Sequence, residues 1–106
     1  MDYVKGLIFL ASYPSNSNDF SETELPTLSL YAEYDALTTK EKIKETEHLL
    51  SSQTTLYELQ GGNHAQFGIY GVQKGDGDAT ISVKEQQDQM IQETVNWLNI
   101  LNNQQN

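Results

Sequence analysis

Two residues of this chain, Asp35 and His64, have the types and the setting for proton-transfer chemistry. His64 is one of two histidines and sits in Gly61-Gly62-Asn63-His64-Ala65-Gln66-Phe67-Gly68. Its glycines let the backbone turn tightly and aim an imidazole outward. Asp35 ends Leu28-Ser29-Leu30-Tyr31-Ala32-Glu33-Tyr34-Asp35, a run with strand character. A carboxylate that orients an imidazole, which in turn takes a proton from a hydroxyl, is the acid–base part of a hydrolytic triad. A merely solvated turn histidine is the bland alternative; the acid at the end of a second strand-like run argues against it. The nucleophile is missing from the pattern. None of Ser12, Ser15, Ser17, Ser21, Ser29, Ser51, Ser52 or Ser82 has glycines at Gly-x-Ser-x-Gly spacing.

The elements that must carry these two residues follow from the patterning. Residues 4–11 are almost continuously apolar, which predicts a strand buried on both faces. Turn chemistry follows in Ser12-Tyr13-Pro14-Ser15-Asn16-Ser17-Asn18-Asp19, and Leu25-Pro26 opens a second strand through Ala32. Thr38-Thr39-Lys40-Glu41 reads as a capping box for a helix to about Leu50, with Ile43, Thr46 and Leu50 inward and His48 on the surface. A third strand over 55–59 leads into the His64 turn, and a long loop over 67–81 leads to a second capping box, Ser82-Val83-Lys84-Glu85. The helix it opens should turn Val83, Gln87, Met90, Thr94, Trp97, Leu98 and Leu101 inward, with Ile91 and Val95 widening the stripe and Trp97 anchoring it. Residues 102–106 form a polar tail expected to fray.

The order β, β, α, β, α predicts an α/β fold: a parallel sheet in a three-layer αβα arrangement, all within one domain over 1–101. A chain of 106 residues buries roughly 60–65% of its unfolded surface, enough for a small core. A doubly buried first strand needs neighbours that the other two strands do not supply, and an open apolar edge invites aggregation. The expectation is therefore that further strands precede Met1.

Composition narrows the partners. Fifteen acids stand against six lysines with no arginine, a formal charge of −9, which excludes phosphate-backbone contacts and attraction to anionic membranes. The absence of cysteine excludes a disulfide, a thiolate nucleophile and a cysteine-based metal site. No metal is expected, because His48 lies on the first helix and does not converge with Asp35 and His64. Residues 6–11 are too short to span a bilayer and lack the flanks of a signal peptide, so the compartment, cytoplasmic or exported, stays open.

The arrangement as a whole resembles the C-terminal portion of an α/β-hydrolase-fold enzyme. Within that fold, residues 6–14, 25–35 and 61–81, notably Tyr70-Gly71-Val72-Gln73-Lys74-Gly75-Asp76-Gly77-Asp78-Ala79-Thr80, resemble small hydrolases related to dienelactone hydrolase. The resemblance implies a cofactor-free serine-type ester or lactone hydrolase with the order Ser, Asp, His, in which Asp35 is the acid and His64 the base. It implies a partial fold lacking its N-terminal strands, nucleophile elbow and oxyanion loop, inactive as an isolated chain. Tyr13, Pro14, Tyr34, Phe67 and Tyr70 follow strand ends and are candidates to line the pocket for a small-molecule ester or lactone. Asp76-Gly77-Asp78 reads as a solvated turn near the last helix's N-terminus and not as a calcium loop. Partners on this reading are a complementing N-terminal half or a second copy. The alternative function is a non-catalytic module that self-associates through its open strand edge.

Overall fold

A computed structural model describes residues 5–15, 17, 19–68 and 71–104. It contains three strands, β1 (Leu7–Leu10), β2 (Thr27–Ala32) and β3 (Thr54–Leu59), and two α-helices, α1 (Lys40–Glu45) and α2 (Val83–Gln104). The strands form one parallel sheet in the order β1-β2-β3, with Leu10 opposite Leu30 and Leu30 opposite Tyr57. The architecture is the expected three-layer αβα. Its core lies between the central strand and α2: Leu28, Leu30 and Ala32 alternate onto one face of β2 and meet Leu59 and Met90. Tyr57, Phe67 and Trp97 pack around this cluster, so Trp97 braces the core from its rim, half-buried.

β1 differs from expectation. It covers Leu7–Leu10, and Val4 lies outside the described residues. Only Leu7 and Phe9 are half-buried, while Ile8 and Leu10 remain 40% and 48% exposed. The reason is its place in the sheet. Among the described residues β1 pairs with β2 alone, and Leu10 borders an open groove beside Met90 and Ile91 of α2, so the helix only partly covers this side.

Both helices also depart from their patterns. Thr39, not Thr38, caps α1, its hydroxyl accepting from Lys42 N–H at 3.2 Å. Thr38 is drawn one step back because its own N–H is donated to Asp35. The helix stops at Glu45 because the Thr46 hydroxyl donates back to the Lys42 and Ile43 carbonyls, and a 3-10 turn, Glu47–Leu49, carries the exposed His48. Ile43 and Leu50 are buried as expected and Thr46 is half-buried.

At α2 the capping box forms in both directions: Glu85 N–H donates to Ser82 Oγ and Ser82 N–H donates to Glu85 Oε1. Its inward stripe is narrower than the sequence implies. Met90 is buried and Gln87, Thr94, Trp97 and Leu101 are half-buried, but Val83, Ile91, Val95 and Leu98 are exposed. The apolar arc of α2 is broader than the three strands beneath it. α2 extends to Gln104, and residues 105–106 lie outside the described residues. Among the described residues no helix is long and apolar enough to cross a membrane.

Two phenols on the sheet make stability sensitive to alkali. Burial pushes the Tyr31 hydroxyl above its ordinary value near 10, with help from the Glu58 charge, and burial followed by Glu93 does the same at Tyr57. The unfolded chain then loses these protons first, so stability is fully present below about pH 10 and is lost as pH rises through the folded-state values. Urea midpoints should fall between about pH 9 and about pH 11, and Tyr57→Phe should flatten that fall. An equally steep fall in the variant would count against the account.

Candidate active site

The carboxyl ends of β2 and β3 lie side by side, and the backbone keeps them together past the sheet. Glu33 N–H donates to the Leu59 carbonyl at 3.1 Å and Tyr34 N–H to the Gly62 carbonyl at 2.9 Å. Gly61 makes the turn after β3 at φ +81°, where a Cβ would also run into Thr80 and Ile81. Asp35 and His64, 29 residues apart in sequence, thereby become neighbours at the edge where open α/β sheets hold their sites.

His64 Nδ1 stands 2.8 Å from Asp35 Oδ2. The Asp35 side chain is fully buried, and its other oxygen accepts N–H bonds from Leu37 at 2.8 Å and Thr38 at 2.6 Å. A carboxylate held this way is an acceptor, so Nδ1 donates to it, and in the neutral imidazole Nε2 is then the nitrogen with the lone pair. The imidazole is 29% exposed, and among the described residues no hydroxyl is bonded to it. The ring is thus anchored at Nδ1 on the buried acid while part of it stays open to solvent.

His64 borders a cavity of about 260 Å³ whose other walls are Leu10, Ala11, Phe67 and Gly68. Ala11 follows β1 with φ +52°, a left-handed conformation that costs a residue with a Cβ roughly 1–2 kcal/mol. Phe67 lies in a 3-10 turn, Ala65–Phe67, with its ring centroid 6.5 Å from that of His64. Of the sequence-derived lining residues the structure thus brings Phe67 to the imidazole. Tyr13 is not in this wall; it is exposed, with the Lys42 ammonium 6.0 Å above its ring. Tyr34 is also exposed and absent from the wall, Pro14 is buried outside it, and Tyr70 lies outside the described residues. A second groove, about 230 Å³ and lined by Pro26, Thr54 and Trp97, opens at the amino ends of β2 and β3, away from the Asp35–His64 pair.

The sequence did not point to the groups that hold the His64 turn. Gln86 of α2 is 0% exposed; its oxygen accepts from Asn63 N–H and Gln66 Nε2, and its own Nε2 donates to the Asn63 carbonyl. Gln87 Nε2 donates to the Gln66 and Phe67 carbonyls. Asn63 Oδ1 accepts from Gln66 N–H, and its Nδ2 donates to the Gly77 carbonyl. Helical periodicity turns Gln87 inward and leaves Gln86 off the stripe, yet Gln86 is the one fully buried and Gln87 only half-buried. Asp76 is half-buried, and its carboxylate accepts N–H bonds from His64 and Ala65. This corrects the reading of residues 76–78 as a purely solvated turn: only Asp78 fits it, being exposed.

The model of the alpha/beta hydrolase family matches residues 1–88. Comparison with curated proteins and with solved structures gives no match. The family match covers most of the chain, including every strand and both ends of the Asp35–His64 bond, and the chain belongs to the alpha/beta hydrolase family.

Proposed function

We propose that this chain supplies the acid and the base of a serine-type ester or lactone hydrolase, cofactor-free and related to dienelactone hydrolase. The nucleophilic serine would come from a strand beside β1, outside these 106 residues. The observation that carries the reading is the 2.8 Å bond between His64 Nδ1 and the buried Asp35 carboxylate, on a part-exposed imidazole that borders the cavity. In the acylation step Nε2 takes the serine Oγ proton as Oγ bonds to the substrate carbonyl carbon. The imidazolium, balanced by Asp35, returns that proton to the leaving alkoxide as the ester C–O bond breaks. Water repeats the sequence and releases the acid. The cavity's apolar walls, Leu10, Ala11 and Phe67, suit a small acyl chain or lactone ring.

The proposed place of that strand has its own support. Ile8 and Leu10 on β1 and Ile91, Val95 and Leu98 on α2 are exposed beside the edge of β1 that has no partner among the described residues, and the His64 cavity adjoins that side through Leu10 and Ala11. The same surface serves the second reading, a non-catalytic module in which two copies pair through β1. A buried, oriented acid–base pair has no use in that module.

The test begins with the DNA immediately upstream of the Met1 codon, read in all three forward frames. The expected result is a strand-like run followed by a Gly-x-Ser-x-Gly elbow. Co-expression of that segment with this chain should give hydrolysis of p-nitrophenyl acetate that disappears when the elbow serine becomes alanine. No elbow within several hundred bases, with a stable dimer of the chain in solution, would overturn the hydrolase reading in favour of the module.

A further inference from the structure

The Asp76 carboxylate accepts from the backbone of the His64 turn and is not used by the acid–base chemistry. We propose that Asp76 is the positioning residue that keeps His64 in register with Asp35. Its Oδ1 accepts from His64 N–H at 3.2 Å, from Gly77 N–H at 2.9 Å and, more weakly, from Ala36 N–H at 3.4 Å. Its Oδ2 accepts from Ala65 N–H at 2.9 Å. Ala36 follows the acid, and His64 is the base itself, so one carboxylate grips the backbone on both sides of the Asp35–His64 bond. The bonds from Tyr34 N–H to the Gly62 carbonyl and from Gly61 N–H to Glu33 Oε1 also tie the two segments, but ahead of the acid and the base. Gln86 and Gln87 hold residues 63, 66 and 67, while the Leu37 and Thr38 amides hold Asp35.

Residue type matters here. Four N–H donors converge on two oxygens, which a carboxylate accommodates and an amide, with one acceptor oxygen, does not. The turn that delivers Asp76 is itself pinned, Gly77 lying against the Tyr34 carbonyl and accepting from Asn63 Nδ2 at 2.9 Å. The inference rests on the reading of His64 as a base, but its test reads the hydrogen bond directly.

The measurement is solvent exchange of the His64 Nδ1 proton by NMR in the full chain, for wild type, Asp76→Ala, Asp76→Asn and Asp78→Ala. Asp76→Ala should speed this exchange at least ~10-fold, the scale on which groups supporting a functional side chain act, while β2 amides stay protected. Asp76→Asn should fall between, since it keeps one acceptor oxygen. Asp78→Ala, changing the exposed acid of the same turn, should leave the rate at the wild-type value. A merely structural role would lower global stability without freeing this proton in the folded molecules. Should Asp76→Ala not fold, Asp76→Asn carries the comparison. Exchange within about twofold of wild type in the folded Asp76 variants, or an equal effect from Asp78→Ala, overturns the proposal. A completed protein that hydrolyses no ester, yet whose Nδ1 proton is freed by Asp76→Ala, refutes the catalytic reading and leaves the positioning role standing.

Discussion

Asp35→Asn should invert the tautomer of His64 and lower turnover of the completed hydrolase by ~10⁴-fold while leaving the fold in place. The position of each atom decides the outcome. Leu37 and Thr38 both donate N–H bonds to Asp35 Oδ1, so the amide oxygen of an asparagine must take that site. Turning its NH₂ group there instead would set donor against donor and leave the buried Thr38 N–H unsatisfied, at roughly 1–3 kcal/mol. The NH₂ group then faces His64 Nδ1 across the 2.8 Å gap and donates to it. The proton moves to Nε2, the nitrogen that must accept from the serine. Heteronuclear NMR of the chain by itself reads the tautomer, with Nδ1 changing from protonated to acceptor. A His64 that keeps its Nδ1 proton in the variant would sink the argument whatever the turnover. Because the tautomer is measured without substrate, the result does not depend on finding the serine.

Gly77→Ala should be the most damaging substitution in the long loop, lowering stability by about 3 kcal/mol, the upper end of the usual cost of overpacking. A Cβ at Gly77 would overlap the carbonyl group of Tyr34. The obstacle is backbone, so no side-chain rotation relieves it. Residues 73–79 must move off the Tyr34–Ala36 segment, and Asp76 would lose its N–H partners at His64 and Ala65 together. Urea denaturation gives the stability, and hydrogen exchange at the His64 and Ala65 amides gives the displacement. Val72→Ala in the same loop is the control: Val72 is fully exposed, and its replacement should stay within about 0.5 kcal/mol of wild type. A Gly77→Ala protein as stable as that control would mean that the loop does not rest on Tyr34 as described.

Local pattern determined a good deal of this protein. Leu25-Pro26 marked the start of β2, because proline is tolerated where a strand begins. The Ser82–Glu85 box marked the start of α2, because capping depends only on residues three apart. The two residues now seen hydrogen-bonded, Asp35 and His64, were visible as a carboxylate and an imidazole each following a strand. Features that depend on what lies across the sheet were hidden. The exposure of Ile8 and Leu10 depends on β1 having one partner among the described residues, and that of Ile91, Val95 and Leu98 on how much sheet α2 covers. Thr38 looked like a cap until Asp35 claimed its amide. Gln86 and Asp76 carry no periodic signal, because each is placed by hydrogen bonds to a segment at least ten residues away in sequence. Sequence by itself determined the elements and the chemistry of the pair, since both reside in residue type and short spacing. Tertiary structure alone decided how the His64 turn is held against Asp35, since Asp76, Gln86 and Gln87 become its neighbours only when the chain has folded.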